Sequence, residues 1–218
     1  MKNILAIGAH PDDLEFGCFG TLKKHLNKGD NVILAIMSHS TVENSNGDTT
    51  RTKDKSKQEA INASKILGAE INFLGFQDTN VPFNKSSIDA IESLIKNHNI
   101  DTIYTHWGGD THQDHINTLD TTLAAGRLIN NVFCYEQVPL PRVCVHYPVA
   151  NYYVDITDTI ETKIKACKQH TSQVDKFNEQ GLDIIDSVIT LAKYRGNQTN
   201  IKYAEAFTVL KYLQDNEF

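Results

Sequence analysis

The residues able to do chemistry gather at two points in the chain. The first is His10-Pro11-Asp12-Asp13, which follows the short apolar run Ile4–Ala9. The second holds His106, Asp110, His112, Asp114 and His115. Adjacent carboxylates repel one another unless something positive joins them, and a divalent metal meets that need. His10 and Asp13 lie three apart across a turn that enters a helix, so their side chains can converge. A third ligand from the His112–His115 segment would complete a set of two histidines and one carboxylate. Such a set leaves positions open for water and substrate, as catalytic zinc sites do. Zinc lowers the pKa of its bound water to about 7. Asp12, beside the proposed ligand Asp13, is the candidate to accept that proton and later deliver it to a leaving nitrogen. The other His and Asp residues of the second cluster are available to orient a ligand or to stabilise an oxyanion. Taken singly, a histidine at a strand end is usually a hydrogen-bonded turn residue, and an aspartate after proline is often a helix cap. Two such clusters at equivalent places in the fold favour the metal.

The elements that must position these residues follow from the pattern of apolar runs. Ile4–Gly8, Val32–Met37, Ile71–Leu74 and Thr102–Thr105 read as strands buried on both faces. Leu14–Asn27, Ser56–Leu67 and Ser86–Asn97 read as the helices between them, with Gly29 and Gly68 as C-caps. This alternation predicts an α/β fold: a Rossmann-like, doubly wound, mostly parallel sheet with helices on both faces. Both clusters then follow parallel strands and share one sheet edge, where ligands bind in such folds. Further on, His112–Leu128 reads as a helix, Val132–Glu136 and Tyr152–Ile156 as strands, and Asp158–His170 and Leu182–Tyr194 as helices. Pro139–Pro148 is irregular, and Ser40–Lys55 reads as a polar, mobile loop on the rim that carries His10.

With 218 residues, no internal repeat and no linker, the chain reads as a single domain over 1–218. A formal net charge of −6 without a basic cluster argues against nucleic acid or an anionic membrane as the partner. No apolar segment is long enough to span a bilayer, and the N-terminal run is too short for a signal peptide. Cys18, Cys134, Cys144 and Cys167 lack metal or disulfide spacing, which predicts reduced thiols in a cytoplasmic protein.

Ala9-His10-Pro11-Asp12-Asp13-Leu14-Glu15 resembles the signature of the PIG-L/LmbE-like family of zinc-dependent N-deacetylases, and His112-Gln113-Asp114-His115 resembles its second motif, H-x-D-H. The resemblance extends through Gln58-Glu59-Ala60, Leu67-Gly68 and Leu74-Gly75-Phe76-Gln77-Asp78. It continues in Asp155-Ile156-Thr157, Lys163, His170-Thr171-Ser172-Gln173 and Tyr203-Ala204-Glu205-Ala206-Phe207, so it spans nearly the whole chain. It implies a Zn2+ cofactor, with Fe2+ as an alternative occupant, held by His10, Asp13 and His115. It further implies Asp12 as general base and then acid, His112 as oxyanion stabiliser, and Asp114 as the residue that orients His112. The implied reaction is removal of an N-acetyl, or another small N-acyl group, from an N-acetylglucosamine-type sugar or its conjugate. The implied partner is thus a small amino sugar. Relatives often assemble, so a homo-oligomer is compatible with the resemblance.

The chain departs from the family pattern in two places. Ser38-His39-Ser40 stands where many relatives carry Gly-Glu, and Ser56 where many carry an arginine near substrate; Arg51 or Lys53 is the candidate replacement. Trp107, the only tryptophan, offers a face for a sugar ring, with core packing as the plainer alternative. His106 reads more simply as a hydrogen-bonded rim residue than as a substrate contact. Two other functions fit parts of the pattern. A non-haem iron oxygenase also uses two histidines and a carboxylate, though its usual host is an all-β fold. A metal-dependent sugar-binding module would not need Asp12.

Overall fold

Ile4–Gly8 is buried along its whole length, which a strand achieves only when helices cover both faces of its sheet. Ile4 and Ala6 face one apolar layer while Leu5 and Ile7 face the other, as the two-residue period of a strand requires. The computed structural model describes residues 1–39, 41–43, 49–139 and 149–213. The strands are β1 (Asn3–Gly8), β2 (Asn31–His39), β3 (Val42–Glu43), β4 (Thr49–Arg51), β5 (Glu70–Gln77), β6 (Thr102–Thr105), β7 (Asn131–Tyr135), β8 (Tyr152–Asp155) and β9 (Ala204–Lys211). The helices are α1 (Asp13–Gly17), α2 (Phe19–Asn27), α3 (Lys53–Leu67), α4 (Lys85–Asn97), α5 (Gln113–Ala125), α6 (Ile160–Cys167), α7 (Thr171–Glu179) and α8 (Ile184–Gln198).

Among the described residues, seven strands form the main sheet in the order β5-β2-β1-β6-β7-β9-β8, with β5 to β7 mutually parallel. Residues of α2, α3 and α6 pack on one face, with Phe19, Leu22, Ala63, Leu67 and Ala166 at the contact. Residues of α4 and α5 pack on the other, through Ile91, Leu94 and Ala125. The chain runs outward from β1 to β2 and β5, then returns to lay β6 on the far side of β1. The strand order reverses there. The carboxyl ends of β1 and β6 therefore flank the switch point, where an open α/β sheet forms a crevice.

The expected doubly wound sheet is present, and four local features differ from the sequence reading. The helix expected over Leu14–Asn27 is broken at Cys18 into α1 and α2. At the break the Gly20 and Thr21 amides donate to Glu205 at 3.0 and 2.7 Å, and the Gly17 carbonyl accepts from Lys163 at 2.9 Å. Groups orphaned at the two new helix ends are thus satisfied by side chains from the far end of the chain. Strand β9 inserts antiparallel between β7 and β8. The short helix α7 follows α6. Within the expected loop, β3 and β4 pair as an antiparallel ribbon. Residues 44–48 of that loop and 140–148 of the expected irregular segment, Cys144 included, lie outside the described residues. Cys18, Cys134 and Cys167 are buried free thiols. Gly29 and Gly68 close α2 and α3 with φ of 86° and 88°, as their C-cap reading anticipates. No helix among the described residues is long and apolar enough to cross a membrane.

Candidate active site

The turn after β1 and the N-terminus of α5 bring His10, Asp13 and His115 together, with one potential ligand atom from each lying within 4.8 Å of the others. The Asp13 carboxylate is the hub. Its Oδ2 accepts the His10 amide at 2.7 Å and lies 3.6 Å from His10 Nδ1, while its Oδ1 is 3.5 Å from His115 Nε2. Gln137, just beyond β7, donates to Oδ1 at 3.1 Å.

Each histidine has its other ring nitrogen on a carboxylate. His10 Nε2 is 3.0 Å from Asp114 Oδ2 and 3.3 Å from Asp78 Oδ1, and His115 Nδ1 is 2.6 Å from Asp110 Oδ2. A histidine that donates one ring N–H to a carboxylate presents the lone pair of the other nitrogen, the arrangement metal-bound histidines adopt. Here both lone pairs, His10 Nδ1 and His115 Nε2, face Asp13. The donor set thus fits a metal of the zinc class with positions left open. Burial opposes a charge on His10, yet hydrogen bonding to Asp114, Asp13 and Asp78 raises its pKa well above the ordinary value. So concentrated a negative cluster calls for a cation. A second trio, His10, His112 and Asp114, also comes within range. Its carboxylate is already committed, because Asp114 accepts the amides of Thr79 and Val81 at 2.8 and 3.0 Å besides His10.

Asp12 sits beside this set with φ of 143°, a left-handed backbone that costs a non-glycine residue energy and that clusters at functional sites. Burial pushes its carboxyl up from the usual range, the Arg51 guanidinium pulls it back, and the neighbouring Asp13 raises it again. His112 caps α5, its Nδ1 accepting the Asp114 amide at 3.2 Å, which leaves Nε2 to carry the proton toward the cleft. Burial, followed by the nearby His115 and His10, lowers the His112 pKa and keeps the ring a neutral donor.

The Asp114 carboxylate, expected to orient His112, lies instead on His10 and the β5–α4 loop; its backbone N–H is what holds His112. Arg51, expected at the substrate, is only 1% exposed and lies beneath the cleft. It donates to the Pro11 carbonyl at 2.8 Å and stands 3.7 Å from Asp12 and 3.5 Å from Glu59. Glu59 is fixed in turn by Thr171 Oγ1, Ser172 N and Ser172 Oγ at 2.9, 2.9 and 2.6 Å. His170 is fully buried, 3.3 Å from Glu15. Much of the His170–Gln173 motif therefore supports the floor under Asp12, while Gln173 reaches the cleft wall. Trp107 is half-buried and does not line the cleft. His106 is the buried rim residue anticipated: its Nε2 accepts the Ala9 amide at 2.9 Å, and burial, reinforced by His115, lowers its pKa to about 4.

Together these residues open onto a cleft of about 630 Å³, within the usual range for small-molecule sites. Its walls include Asp78, Asp110, Gln137, Lys176 and Phe177, none of which was singled out as a substrate contact from sequence. Lys176 and Phe177 lie on α7, a short helix whose Thr171–Glu179 span holds only Val174 and Phe177 as apolar residues, too few to mark it in the sequence. Asp78 and Gln137 could have been found, since each follows a strand ending on the same rim.

Residues 5–126, more than half of the chain, match the family model of PIG-L, GlcNAc-PI de-N-acetylase. The chain belongs to the PIG-L family. Among relatives of this PIG-L member, the uncharacterized deacetylase YaiS of Escherichia coli K12 is 32% identical over 178 residues, covering 78% of this chain and 91% of YaiS. The diacetylchitobiose deacetylase of Thermococcus kodakarensis is 26% identical over 223 residues, covering 94% of this chain and 82% of that protein. The solved structure of GalB, a 4-carboxy-2-hydroxymuconate hydratase from Pseudomonas putida, superposes with a TM-score of 0.84 at 19% identity and covers 100% of both chains. That likeness concerns the fold alone. A shared fold hosts different chemistries, so the reaction must be argued from the site.

Proposed function

We propose that this PIG-L family protein is a metal-dependent N-deacetylase that removes an acetyl or other small acyl group from an N-acetylglucosamine-type sugar or its conjugate. One observation carries the reading: two carboxylate-backed histidines converge on Asp13, with a buried base candidate and a neutral N–H donor on the same cleft. His10, Asp13 and His115 would hold the ion. Bound there, zinc, or ferrous iron as the second candidate, would act as a Lewis acid and lower the pKa of a water to about 7.

The chain's own groups supply the remaining work. Asp12, its carboxyl held above the usual range, takes a proton from the attacking water and returns it to the departing nitrogen. Arg51 keeps that carboxylate from being neutralised outright by burial. His112 donates its Nε2–H to the oxyanion that develops on the acyl carbonyl, and the Asp114 amide holds the ring in the tautomer this requires. Phe177 offers an apolar wall against which a sugar face can lie. Relatives named for deacetylation of an acetylated amino sugar support this substrate class. The buried free thiols support a reducing, cytoplasmic setting.

The test is amine release from N-acetylglucosamine and a panel of its 1-O-conjugates by metal-loaded protein, with Asp12→Ala as control. Release that disappears in the variant while bound metal is retained supports the proposal. No release from any panel member, with metal shown to be bound, overturns it.

A further inference from the structure

His106 follows β6 and is only 1% exposed, yet it meets the chain at each of the three proposed metal ligands. Its Nε2 accepts the amide of Ala9, the residue before His10, at 2.9 Å. The same nitrogen lies 3.1 Å from Asp13 Oδ2. Its ring stacks on that of His115, with centroids 4.1 Å apart and planes 13° from parallel. Tyr135 approaches the same ring to 4.9 Å between centroids, and its own hydroxyl is anchored on the Ile7 carbonyl at 2.9 Å.

One ring nitrogen cannot accept from the amide and also donate to the carboxylate. A backbone amide always carries its proton, so toward Ala9 the nitrogen acts only as an acceptor. Nε2 therefore holds a lone pair, and the proton of the neutral ring sits on Nδ1. In this tautomer His106 gives Asp13 no hydrogen bond, whereas the His10 amide and Gln137 both do. The opposite tautomer would donate to Oδ2 and draw off charge that a metal needs. It would also set its N–H against the buried Ala9 amide and leave that donor unpaired. As the groups stand, two electron-rich atoms face each other at 3.1 Å, a contact that repels unless a cation beside Asp13 offsets it.

We propose that His106 is a positioning residue of the metal site. The Ala9 amide fixes its tautomer, its lone pair keeps Asp13 a free acceptor for the ion, and its face sets the plane of the His115 ring. The inference rests on the reading of His10, Asp13 and His115 as metal ligands, and it adds a residue that prepares the site without ligating.

The test compares wild type with His106→Gln in three measurements: zinc affinity by chelator competition, the absorption spectrum of the cobalt-substituted protein, and melting of the unloaded protein. Glutamine can still accept the Ala9 amide, but it cannot stack on His115, and its amide N–H can turn to Asp13. Zinc affinity should fall by about 10- to 100-fold, the usual cost of losing a group that supports a ligand. The cobalt spectrum should change with it, because the ligands lose their fixed orientation. A merely structural role would lower the melting temperature of the unloaded protein and leave the cobalt spectrum as in wild type. Unchanged zinc affinity or an unchanged cobalt spectrum therefore overturns the assignment. Should His106→Gln fail to fold, NMR of histidine-labelled wild type decides. An unprotonated His106 Nε2 whose resonance moves when zinc is added upholds the inference; a protonated Nε2, or an unmoved resonance, overturns it. A wild type that binds neither zinc nor cobalt sinks the ligand reading and this inference with it. Equal binding by both proteins removes His106 alone.

Discussion

Replacing Glu205 with alanine should destabilise the protein severely, although Glu205 does not line the candidate active-site cleft. The side chain is 5% exposed and ion-paired with Lys163, itself 3% exposed, at 2.6 Å. It also accepts the Gly20 and Thr21 amides, the first free N–H groups of α2, where a negative charge is further favoured by the helix dipole. Alanine would leave a buried ammonium unpaired and two buried amides without acceptors. Breaking a buried pair from one side costs about 3–5 kcal/mol, with the unmet amides contributing to the upper part of that range. At about 2.1 cal/mol/K of unfolding entropy per residue, 218 residues give roughly 0.46 kcal/mol/K, so ~4 kcal/mol lowers Tm by about 9 °C. Glu205→Gln keeps an acceptor for the amides and should lose about half as much, since it forfeits mainly the charge-assisted part. The assay is calorimetric melting with urea denaturation at fixed metal concentration, because a bound ion shifts apparent stability by mass action. A cycle with Lys163→Met isolates the pair and should give a coupling of at least ~1 kcal/mol. A Tm loss under about 2 °C for Glu205→Ala, or a coupling near zero, would refute the claim that this pair holds the α1–α2 break together.

Three further outcomes follow from the site. Asp110→Ala should weaken metal binding by about 10- to 100-fold through loss of the His115 orienting bond, read by chelator competition; unchanged affinity would remove Asp110 from the ligand support. His112→Ala should retain the metal while kcat falls by about 100- to 1000-fold, the usual cost of losing one oxyanion donor; near-normal turnover would sink that role. Glu59→Gln tests the floor beneath Asp12 through its pH dependence. Burial raises the Glu59 carboxyl, but bonds from Ser172 and Thr171 and the nearby Arg51 outweigh it and hold the folded pKa below the ordinary value. The stabilisation is therefore full above the ordinary carboxylate range and is lost as pH falls through the depressed folded value. Denaturation curves should show the variant less stable than wild type at neutral pH, with the gap closing in acid; a gap independent of pH would mean that Glu59 acts by shape and not by charge.

What could be read from the sequence, and what could not, divides along the range of the interactions. His10, Asp12 and Asp13 were legible because a buried strand, a proline and two carboxylates within a few residues fix both their local conformation and their place on the sheet edge. The second cluster was legible as a cluster, and topology carried it to the same edge. The partner of Asp114 was not. Adjacency to His112 suggested that one orients the other, but residues two apart at a helix start do not face each other. The Asp114 side chain turns to the β5–α4 loop and to His10, 104 positions away, and only its amide reaches His112. Arg51 failed for a related reason: nothing local marks an arginine in a polar segment as buried, because what buries it is Asp12, Pro11 and Glu59 from other elements. Strand β9 is the clearest case. Its buried glutamate breaks the apolar alternation expected of a strand beside the core, and the residue makes sense only once Lys163 and the start of α2 are beside it. The family signature around Glu205 thus marks a residue placed to hold the scaffold, whereas the signature around His10 marks the candidate metal cluster. Sequence similarity gives both kinds of residue the same weight, and only their partners in space tell them apart.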